Sequence, residues 1–375
     1  MTDSEHSRSA PTLNTTTPRI FIAATRQNEG KTTTSLGLLA ALQQFYPRIG
    51  YIKPVGQRFV EIEEQKIDED TVLMDQVYRL NCPLVDMSPI AVEPDFTRKY
   101  LQSSNNDVLV KKIVRAFDRV AWEKDFVLCE GSGHAGVGSV FDLSNAHVAK
   151  IMGAKVVIVS QGGIGKPIDE VYLNQAVFDR EGVEIIGVIL NKVTPDKLEY
   201  VTEFARRGLK RKGLELLGVL PYRQILCNPT FAAIQAETRA CPLNAWQGDD
   251  NLIKNVVIGA MGAQTAIGHF KRGTLVITPG DREDIIRAAV ASASEEGRCL
   301  AGMVLTEKLM PDEGVLGLIE KAPFPVLLSE DASYEVASRV QNLIVKTRAA
   351  DTEKISVIRD LIAEHVDVNK ILRAL

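Results

Sequence analysis

The 375-residue sequence lacks the features that mark several large classes of protein. It has no run of the roughly 18 apolar residues that a membrane-spanning helix requires. Its five cysteines are scattered, without a Cys-x-x-Cys pair, which disfavours a disulfide scaffold and a structural zinc site. It also lacks a basic block, and its net charge is −4, so nucleic-acid binding is not expected to be its main role. The sequence thus predicts no membrane and no nucleic-acid partner.

The first 18 residues are poor in apolar side chains. They hold eight Ser/Thr, two Pro and a single Leu. They lack both the apolar core of a secretory signal and the Arg-rich amphipathic pattern of a transit peptide. We therefore expect a short disordered tail over residues 1–18 and a cytoplasmic location.

From Arg19 onward, short apolar runs alternate with stretches of helical periodicity. The runs are rich in Val, Ile and Leu without strict alternation, which is typical of parallel strands covered on both faces. This pattern predicts an α/β fold, with a doubly wound and mostly parallel sheet over residues 19–225. A second, smaller α/β pattern covers residues 226–346, and the apolar spacing over residues 347–375 predicts a C-terminal helix.

The strongest motif lies between the first apolar run and the first helical stretch. The segment reads ATRQNEGKTT over residues 24–33, and an amphipathic helix is predicted to follow it. That context is required of a phosphate-binding P-loop, whose backbone N–H groups cradle the phosphates of a nucleotide. Thr25 stands where the usual pattern has its first glycine, and an ordinary Gly-Lys-Thr helix start is the alternative interpretation. The motif residues predicted to bind nucleotide are Asn28, Glu29, Gly30, Lys31, Thr32 and Thr33.

Four side chains are predicted to act on the phosphates of ATP. Lys31 would place its ammonium on the β- and γ-phosphates as a catalytic residue, and the Thr32 hydroxyl would ligate Mg²⁺. Glu130 ends an apolar run and precedes a glycine-rich loop, which is the usual position of a second anchor for Mg²⁺. Lys53 ends another predicted strand, at the edge where open α/β sheets place their ligand crevices, so its charge would stabilise a phosphoryl or carbamate transition state. A solvated lysine in a turn is the alternative interpretation for Lys53.

These motifs together resemble dethiobiotin synthetase. The P-loop, the Lys-Pro-Val at residues 53–55 and the Glu-Gly-Ser-Gly at residues 130–133 carry the likeness, and that family also accepts Thr at the first P-loop glycine. The chain is more similar still to the dethiobiotin-synthetase-like domain at the N-terminus of long phosphotransacetylases, through residues 88–90 and 96–101. Residues 228–335 look like the DRTGG domain that follows there, although the literal Asp-Arg-Thr-Gly-Gly string is missing.

The resemblance implies further roles. Lys53 would help to bind the substrate and the transferring phosphate as a catalytic residue, and Asp70 would be a metal ligand, with Asp68 as its rival. Asn191 would read the adenine edge through its amide, unless it only caps the end of its strand. The family also implies ATP and Mg²⁺ as cofactors, and a homodimer formed across the nucleotide site.

Two further sets of residues allow two interpretations each. Asp281 and Arg282 follow a predicted strand of the second domain and open a helix, so they form either a helix cap or a ligand site with Arg282 as an anion clamp. His134 and His147 flank the glycine-rich loop without a partner at ligand spacing, which favours ordinary polar roles over a metal site.

Two functions fit these residues, and they differ in whether ATP is consumed. In the first, the chain is an ATP-dependent ligase or ATPase that phosphorylates a small carboxylate or carbamate substrate. In the second, it is a regulator that senses a nucleotide and a metabolite effector. Arg26 stands where dethiobiotin synthetase binds its diamine, so dethiobiotin synthesis is not predicted. Acetyl transfer is not predicted either, because no acyltransferase domain is recognised.

Overall fold

The computed structural model describes residues 14–103, 105–246, 251–293, 300–343 and 345–375. The chain forms two compact units: residues up to Tyr222 together with Thr352–Leu375 make the first, and Arg223–Asp351 make the second. The second unit is therefore inserted in the chain of the first. Among the described residues, no helix is both long enough and apolar enough to cross a membrane.

Strands and helices are numbered along the whole chain. The strands are β1 (Arg19–Ala24), β2 (Ile49–Ile52), β3 (Val55–Gly56), β4 (Phe59–Ile62), β5 (Gln65–Asp68), β6 (Ile90–Ala91), β7 (Phe126–Glu130), β8 (Lys155–Gln161), β9 (Ile185–Val193), β10 (Leu216–Pro221), β11 (Cys241–Pro242), β12 (Asn255–Ile258), β13 (Thr274–Pro279), β14 (Gly302–Thr306) and β15 (Val326–Leu328). The helices are α1 (Lys31–Leu42), α2 (Glu69–Tyr78), α3 (Leu84–Met87), α4 (Phe96–Ser103), α5 (Asp107–Ala121), α6 (Asn145–Ile151), α7 (Lys166–Glu181), α8 (Leu198–Lys210), α9 (Phe231–Thr238), α10 (Ala263–Ile267), α11 (Glu283–Ser292), α12 (Glu313–Ile319), α13 (Ser333–Asn342), α14 (Thr352–His365) and α15 (Val368–Arg373).

The first unit is built on a six-stranded sheet in the order β10-β9-β8-β1-β7-β2. Every neighbouring pair in it is parallel, which confirms the predicted doubly wound sheet. All residues of β1 and β7 are buried, as the unbroken apolar runs require when helices cover both faces of a sheet. β1 lies between β7 and β8, so the chain turns to opposite sides of the sheet around it, and such a point is where open α/β sheets bind ligands.

The second unit has a smaller sheet in the order β11-β15-β14-β13-β12. Four of its strands are parallel, and the short β11 runs antiparallel to β15. Successive residues of β13 pack into different apolar clusters: Val276 lies with residues of α10, α11 and α12, whereas Leu275 and Ile277 lie with residues of α9 and α13. Because side chains alternate along a strand, the two clusters mark the two covered faces of this sheet.

The acidic stretch at residues 61–70 is more ordered than a solvated charge run. It forms most of the antiparallel β4–β5 hairpin, whose turn residues Glu63 and Glu64 have φ values of 48° and 63°. The first turn of α2 follows at once. Charge patterning does not reveal this hairpin, because its pairing is local and its turn lacks glycine.

The ends of the first unit differ from expectation in two ways. Of the predicted disordered tail, residues 1–13 lie outside the described residues, but residues 14–18 are ordered. Asn14 accepts from the N–H groups of Thr16 and Thr17 and donates its own N–H to Asp118 of α5, which fixes this segment. At the other end, the chain forms α14 and α15 instead of one helix, because the Asp367 carboxylate accepts from Lys370 N (3.0 Å) and starts a new helix.

Candidate functional site

The predicted site residues of the first unit follow the ends of neighbouring parallel strands. Ile22 of β1 is in register with Glu130 of β7, and Ile52 of β2 is in register with Cys129. On the other side of β1, Ala24 pairs with Val159 of β8, and β9 continues the same alignment. The register therefore brings the P-loop, Lys53, Glu130 and Asn191 to one edge of the sheet.

The P-loop leaves β1 and opens α1 without help from a side-chain cap. Gly30 is the residue before the helix, at a φ of 96°, and the first turn contains no acidic side chain. Asn28 is also in the left-handed region, at a φ of 62°. The first N–H groups of a helix have no partner within the helix, and its dipole favours negative charge there. The start of α1 is therefore suited to an anion.

Thr25, the departure from the usual motif, has a structural use. Its hydroxyl lies 3.0 Å from the Ser160 hydroxyl of β8, and its backbone N–H donates to the Val159 carbonyl. The side chain is buried. A glycine could not make the hydroxyl contact, so Thr25 ties the start of the loop to the neighbouring strand.

Lys31 is a buried lysine, and burial disfavours its charged form. Burial lowers the pKa of its ammonium to about 8, and Glu130 supplies the largest opposing effect while Lys53 adds to the lowering. Its side chain is 9% exposed. An anion bound at the loop would favour the charged form, as a nearby opposite charge does.

Lys53 lies among three buried carboxylates. Its Nζ contacts Asp70 Oδ2, and it lies 3.4 Å from both Asp68 Oδ1 and Glu130 Oε1. Burial alone would lower the pKa of Lys53, but the three carboxylates, with Asp70 the strongest, raise it well above its usual value. Lys53 is therefore a fixed cation rather than a solvated lysine of a turn.

The structure separates the two rival aspartates. Asp68 caps α2: its Oδ1 accepts from Asp70 N at 3.0 Å, and burial raises the pKa of its carboxyl to about 6. Asp70, in the first turn of α2, makes the closest carboxylate contact to Lys53. Asp68 thus orients the helix turn that presents Asp70, whose role as a metal ligand stays a prediction.

Glu130 links the P-loop to the carboxylate cluster. Its Oε1 accepts from the Thr32 hydroxyl at 3.1 Å, and its Oε2 accepts from the Tyr51 hydroxyl at 3.1 Å. The Tyr51 phenol is fully buried, and burial together with Glu130 raises its pKa well above the usual value. Sequence reasoning missed Tyr51, because an aromatic residue inside an apolar strand reads as core.

Two residues near the end of β9 contact the P-loop. Asn191 Nδ2 donates to the Glu29 carbonyl at 2.9 Å, and Lys192 Nζ donates to the Asn28 carbonyl at 2.6 Å. The Glu29 side chain itself is buried, and burial raises the pKa of its carboxyl. Asn191 therefore lies at the predicted site, while Lys192 is a contact that sequence reasoning missed.

The charge of Arg26 at the tip of the loop is offset within the unit. Arg26 Nη2 lies 2.6 Å from Glu170 Oε1 of α7. From the same helix, Asn174 accepts from the N–H of Ala135 in the glycine-rich loop at 2.8 Å. Sequence reasoning treated Arg26 as a charge facing the substrate, whereas the structure pairs it with a carboxylate 144 positions further along the chain.

The two histidines of this region have the ordinary polar contacts that were favoured. His134 Nδ1 accepts from Gly136 N at 3.2 Å, and His147 Nδ1 lies 3.2 Å from Glu181 Oε2. Within the described ranges, no three His, Cys, Asp or Glu side chains are grouped so as to hold a metal ion.

In the second unit, Arg282 is engaged by its own surroundings. Its guanidinium donates to both carboxylate oxygens of Asp284, at 2.8 and 2.9 Å, and to the carbonyls of Gly259 and Met261. These contacts tie the end of β12 to the start of α11. The side chain of Asp281 does not cap that helix, since Arg282 occupies the capping position without a side-chain bond. A ligand site at Asp281 and Arg282 stays a prediction.

Fold and site together define a P-loop protein with a parallel sheet and an inserted second unit. A model of the AAA_26 family, described as an AAA domain, matches residues 18–230, and a model of the DRTGG domain matches residues 234–343. The first match covers more than half of the chain, so the chain belongs to the AAA_26 family, with a DRTGG domain following it. The resemblance to phosphotransacetylases found in the sequence is confirmed as well.

The chain is also similar to individual curated proteins and to solved structures. It is 30% identical over 360 residues to a phosphate acetyltransferase of Pseudomonas putida, covering 92% of this chain and 50% of the relative. It is 26% identical over 370 residues to the phosphate acetyltransferase of Nitratidesulfovibrio vulgaris, covering 94% and 51%. The chain thus spans about half the length of the curated relatives it matches. The septum site-determining protein MinD of Pyrococcus horikoshii, solved with Mg-ADP, is 17% identical, with a TM-score of 0.34 over 56% of this chain and 84% of that one.

Proposed function

We propose that the first unit binds Mg-ATP and transfers its γ-phosphoryl group to a small carboxylate or carbamate, as an ATP-dependent ligase does. One observation carries this proposal: two buried lysines and three carboxylates meet at the strand edge where the uncapped start of α1 lies. An anion site alone needs only the loop. Lys53 and its carboxylates add a second cation and hard oxygen ligands, which are groups of the kind that stabilise charge and hold Mg²⁺ in phosphoryl transfer.

Each residue has a distinct task in this proposal. Lys31 binds the β- and γ-phosphates and holds its proton below a pH of about 8, which keeps its charge at physiological pH. Lys53, held in place by Asp70 and Glu130, stabilises the charge that develops on the transferred group. Glu130 orients the Thr32 hydroxyl.

The donor atoms fit Mg²⁺. The Thr32 hydroxyl and the carboxylates of Asp70 and Glu130 are hard oxygen ligands, and Mg²⁺ usually takes only one or two carboxylates from the protein beside the phosphates of its nucleotide. A Mg²⁺ site of this kind needs no group of three protein ligands, and none occurs among the described residues. When bound, Mg²⁺ neutralises phosphate charge.

A second candidate function, a nucleotide sensor without ligase activity, is favoured by the packing of α1. The helix that opens at the P-loop packs along α14, and a Cβ at Gly37 of α1 would overlap the side chain of Ile362. α14 begins where the inserted second unit ends. A shift of α14 would thus reach the P-loop through rigid, close-packed helices.

The experiment that separates the two functions is ADP formation from Mg-ATP. The purified protein would be assayed with and without bicarbonate and pooled small carboxylates and amines, with Lys31→Ala as the blank. ADP that depends on one pool establishes the ligase, and fractionation of that pool identifies the substrate. Tight Mg-ATP binding without ADP in any pool supports the sensor, and a Lys31→Ala variant as active as the parent contradicts both.

We also infer a homodimer from the resemblance to dethiobiotin synthetase. Light scattering of the protein with and without Mg-ATP tests this, since a mass near 41 kDa at every concentration would contradict it.

A further inference from the structure

We propose that Asn191 and Lys192 are positioning residues that hold the P-loop open for phosphate. The proposal rests on the proposed function, because it concerns the same loop. It assigns Asn191 a task other than reading adenine, and it assigns a task to Lys192, which carries none so far.

The two residues hold two successive carbonyls of the loop. Lys192 Nζ donates to the Asn28 carbonyl at 2.6 Å, and Asn191 Nδ2 donates to the Glu29 carbonyl at 2.9 Å. Both donors come from the end of β9, more than 160 residues along the chain from the loop. Both carbonyls therefore point toward β9.

The direction of these carbonyls fixes the direction of two N–H groups. In a planar trans peptide, the C=O and N–H groups point to opposite sides, and no cis peptide occurs among the described residues. The N–H of Glu29 shares its peptide with the Asn28 carbonyl, and the N–H of Gly30 shares its peptide with the Glu29 carbonyl. Both N–H groups therefore point away from β9 and can converge on one anion.

The backbone of the loop has the conformation that such convergence needs. Asn28 and Gly30 have φ values of 62° and 96°, so left-handed residues stand on both sides of Glu29. Alternation of this kind forms a concave nest of N–H groups that binds anions. The nest is in van der Waals contact with the Asn191 amide, because a Cβ added at Gly30 would overlap the Asn191 Nδ2 atom.

Each end of the Asn191 amide has a backbone partner in the protein. Its Oδ1 accepts from Lys192 N at 2.8 Å while its Nδ2 donates to the Glu29 carbonyl. The side chain is 8% exposed. Reading a base edge requires a donor and an acceptor to be presented to the base, whereas here one N–H and one lone pair of the buried amide bind the backbone and fix its plane against the loop.

Ligands with and without an adenine base test this assignment. Equilibrium binding of Mg-ATP, Mg-GTP and Mg-pyrophosphate would be measured for the parent, Asn191→Ala, Lys192→Met and Lys192→Arg. We expect each of the first two variants to lose about tenfold in affinity for all three ligands, as for one hydrogen bond that positions a charged group. Lys192→Arg should restore most of the loss, and Lys197→Met, an exposed lysine further along, should behave as the parent. A loss confined to ATP would overturn the proposal and leave Asn191 as a reader of adenine.

A second measurement works even if the protein binds no nucleotide. The backbone order parameter of the Gly30 amide, measured by nuclear magnetic resonance on the free protein, should be about 0.85 in the parent and below about 0.6 in Lys192→Met and Asn191→Ala. An unchanged value in both variants overturns the positioning role. If order falls but the parent binds none of the three ligands, the positioning role stands and the proposed function fails.

Discussion

The two mostly parallel sheets of this protein differ in the side chains that surround the start of a helix at the carboxyl edge. In the first unit, the loop after β1 opens α1 at Gly30, with neither an acidic first turn nor a side-chain cap. In the second unit, the turn after β13 opens α11 with Glu283 and Asp284, and Arg282 binds Asp284 and the carbonyls at the end of β12. The start of α1 has no side-chain cap and no acidic first turn, whereas at the start of α11 the Asp284 carboxylate is already paired with Arg282.

This difference shows that topology alone does not make a ligand site. Strand order brings loops together at the carboxyl edge of any such sheet. Whether an anion binds there depends on which side chains satisfy the helix start, and in the second unit the protein's own side chains are already in place. Substitutions in both units test this contrast.

The largest effect is expected for Lys31→Ala, which removes the buried cation of the first edge. Affinity for Mg-ATP should fall tenfold or more, since a charge-assisted contact to phosphate contributes about 1.5–3 kcal/mol. Titration calorimetry measures the affinity. The matched control is Lys308→Ala, which breaks an exposed ion pair with Glu330 in the second unit. Equal affinity in Lys31→Ala and the parent would show that the P-loop assignment is wrong.

Arg282→Ala should destabilise the second unit and leave Mg-ATP affinity unchanged. Loss of the guanidinium removes the donor to the Gly259 and Met261 carbonyls, which costs about 0.5–1.5 kcal/mol for each hydrogen bond. It also removes the ion pair with Asp284, which adds at most about 1 kcal/mol because both side chains are partly exposed. Urea unfolding followed by Trp246 fluorescence in a Trp122→Phe background reports on this unit. The control is Arg339→Ala, whose ion pair with Asp331 is partly exposed and contributes at most about 1 kcal/mol. A loss of ATP affinity without a loss of stability would contradict the structural role of Arg282.

Asp68→Asn and Asp70→Asn should change stability in opposite directions. The pKa of Asp68 is raised from 3.8 to about 6, so its charge disfavours the folded state once the pH exceeds about 6, and that penalty disappears as the pH falls below 3.8. An asparagine keeps the helix cap without the charge. Because one unit of pKa shift corresponds to about 1.36 kcal/mol, Asp68→Asn should stabilise the protein by about 1–3 kcal/mol at pH 7. Near pH 3.5 it should have no effect on stability.

Asp70→Asn instead removes the nearest carboxylate from Lys53 and should destabilise the protein at pH 7. Thermal unfolding at pH 7 and at the lowest pH that keeps the protein folded compares the two variants. Stabilisation by both would mean that Lys53 does not depend on Asp70.

The fold, and the edge of the sheet at which the candidate residues lie, could be predicted because each rests on local patterns. The apolar runs locate the strands, and the carboxyl ends of parallel strands meet at one edge, so Lys53 and Glu130 could be placed together. The contacts of Tyr51, Lys192 and Glu170 could not be predicted. Each contact joins residues that are 79 to 164 positions apart, and the neighbouring sequence does not indicate which residue is the partner. The capping role of Asp68 could not be predicted either, because it depends on the local backbone geometry at the start of α2.

The smallest change in stability is expected for a helix glycine with open space where a Cβ would lie. A Cβ at Gly317 of α12 would have no neighbour within 4 Å, whereas at Gly37 of α1 it would overlap Ile362 of α14. Gly317→Ala should stabilise the second unit by about 0.4–1 kcal/mol, because alanine restricts the unfolded chain. Gly37→Ala should destabilise the first unit by about 1–3 kcal/mol through overpacking. Because the overlap is with the buried Ile362 side chain, Gly37→Ala should cost less in an Ile362→Ala background than in the parent. Urea midpoints measure both, and a Gly37→Ala variant as stable as the parent would show that α14 is free to move away from the helix that carries the P-loop.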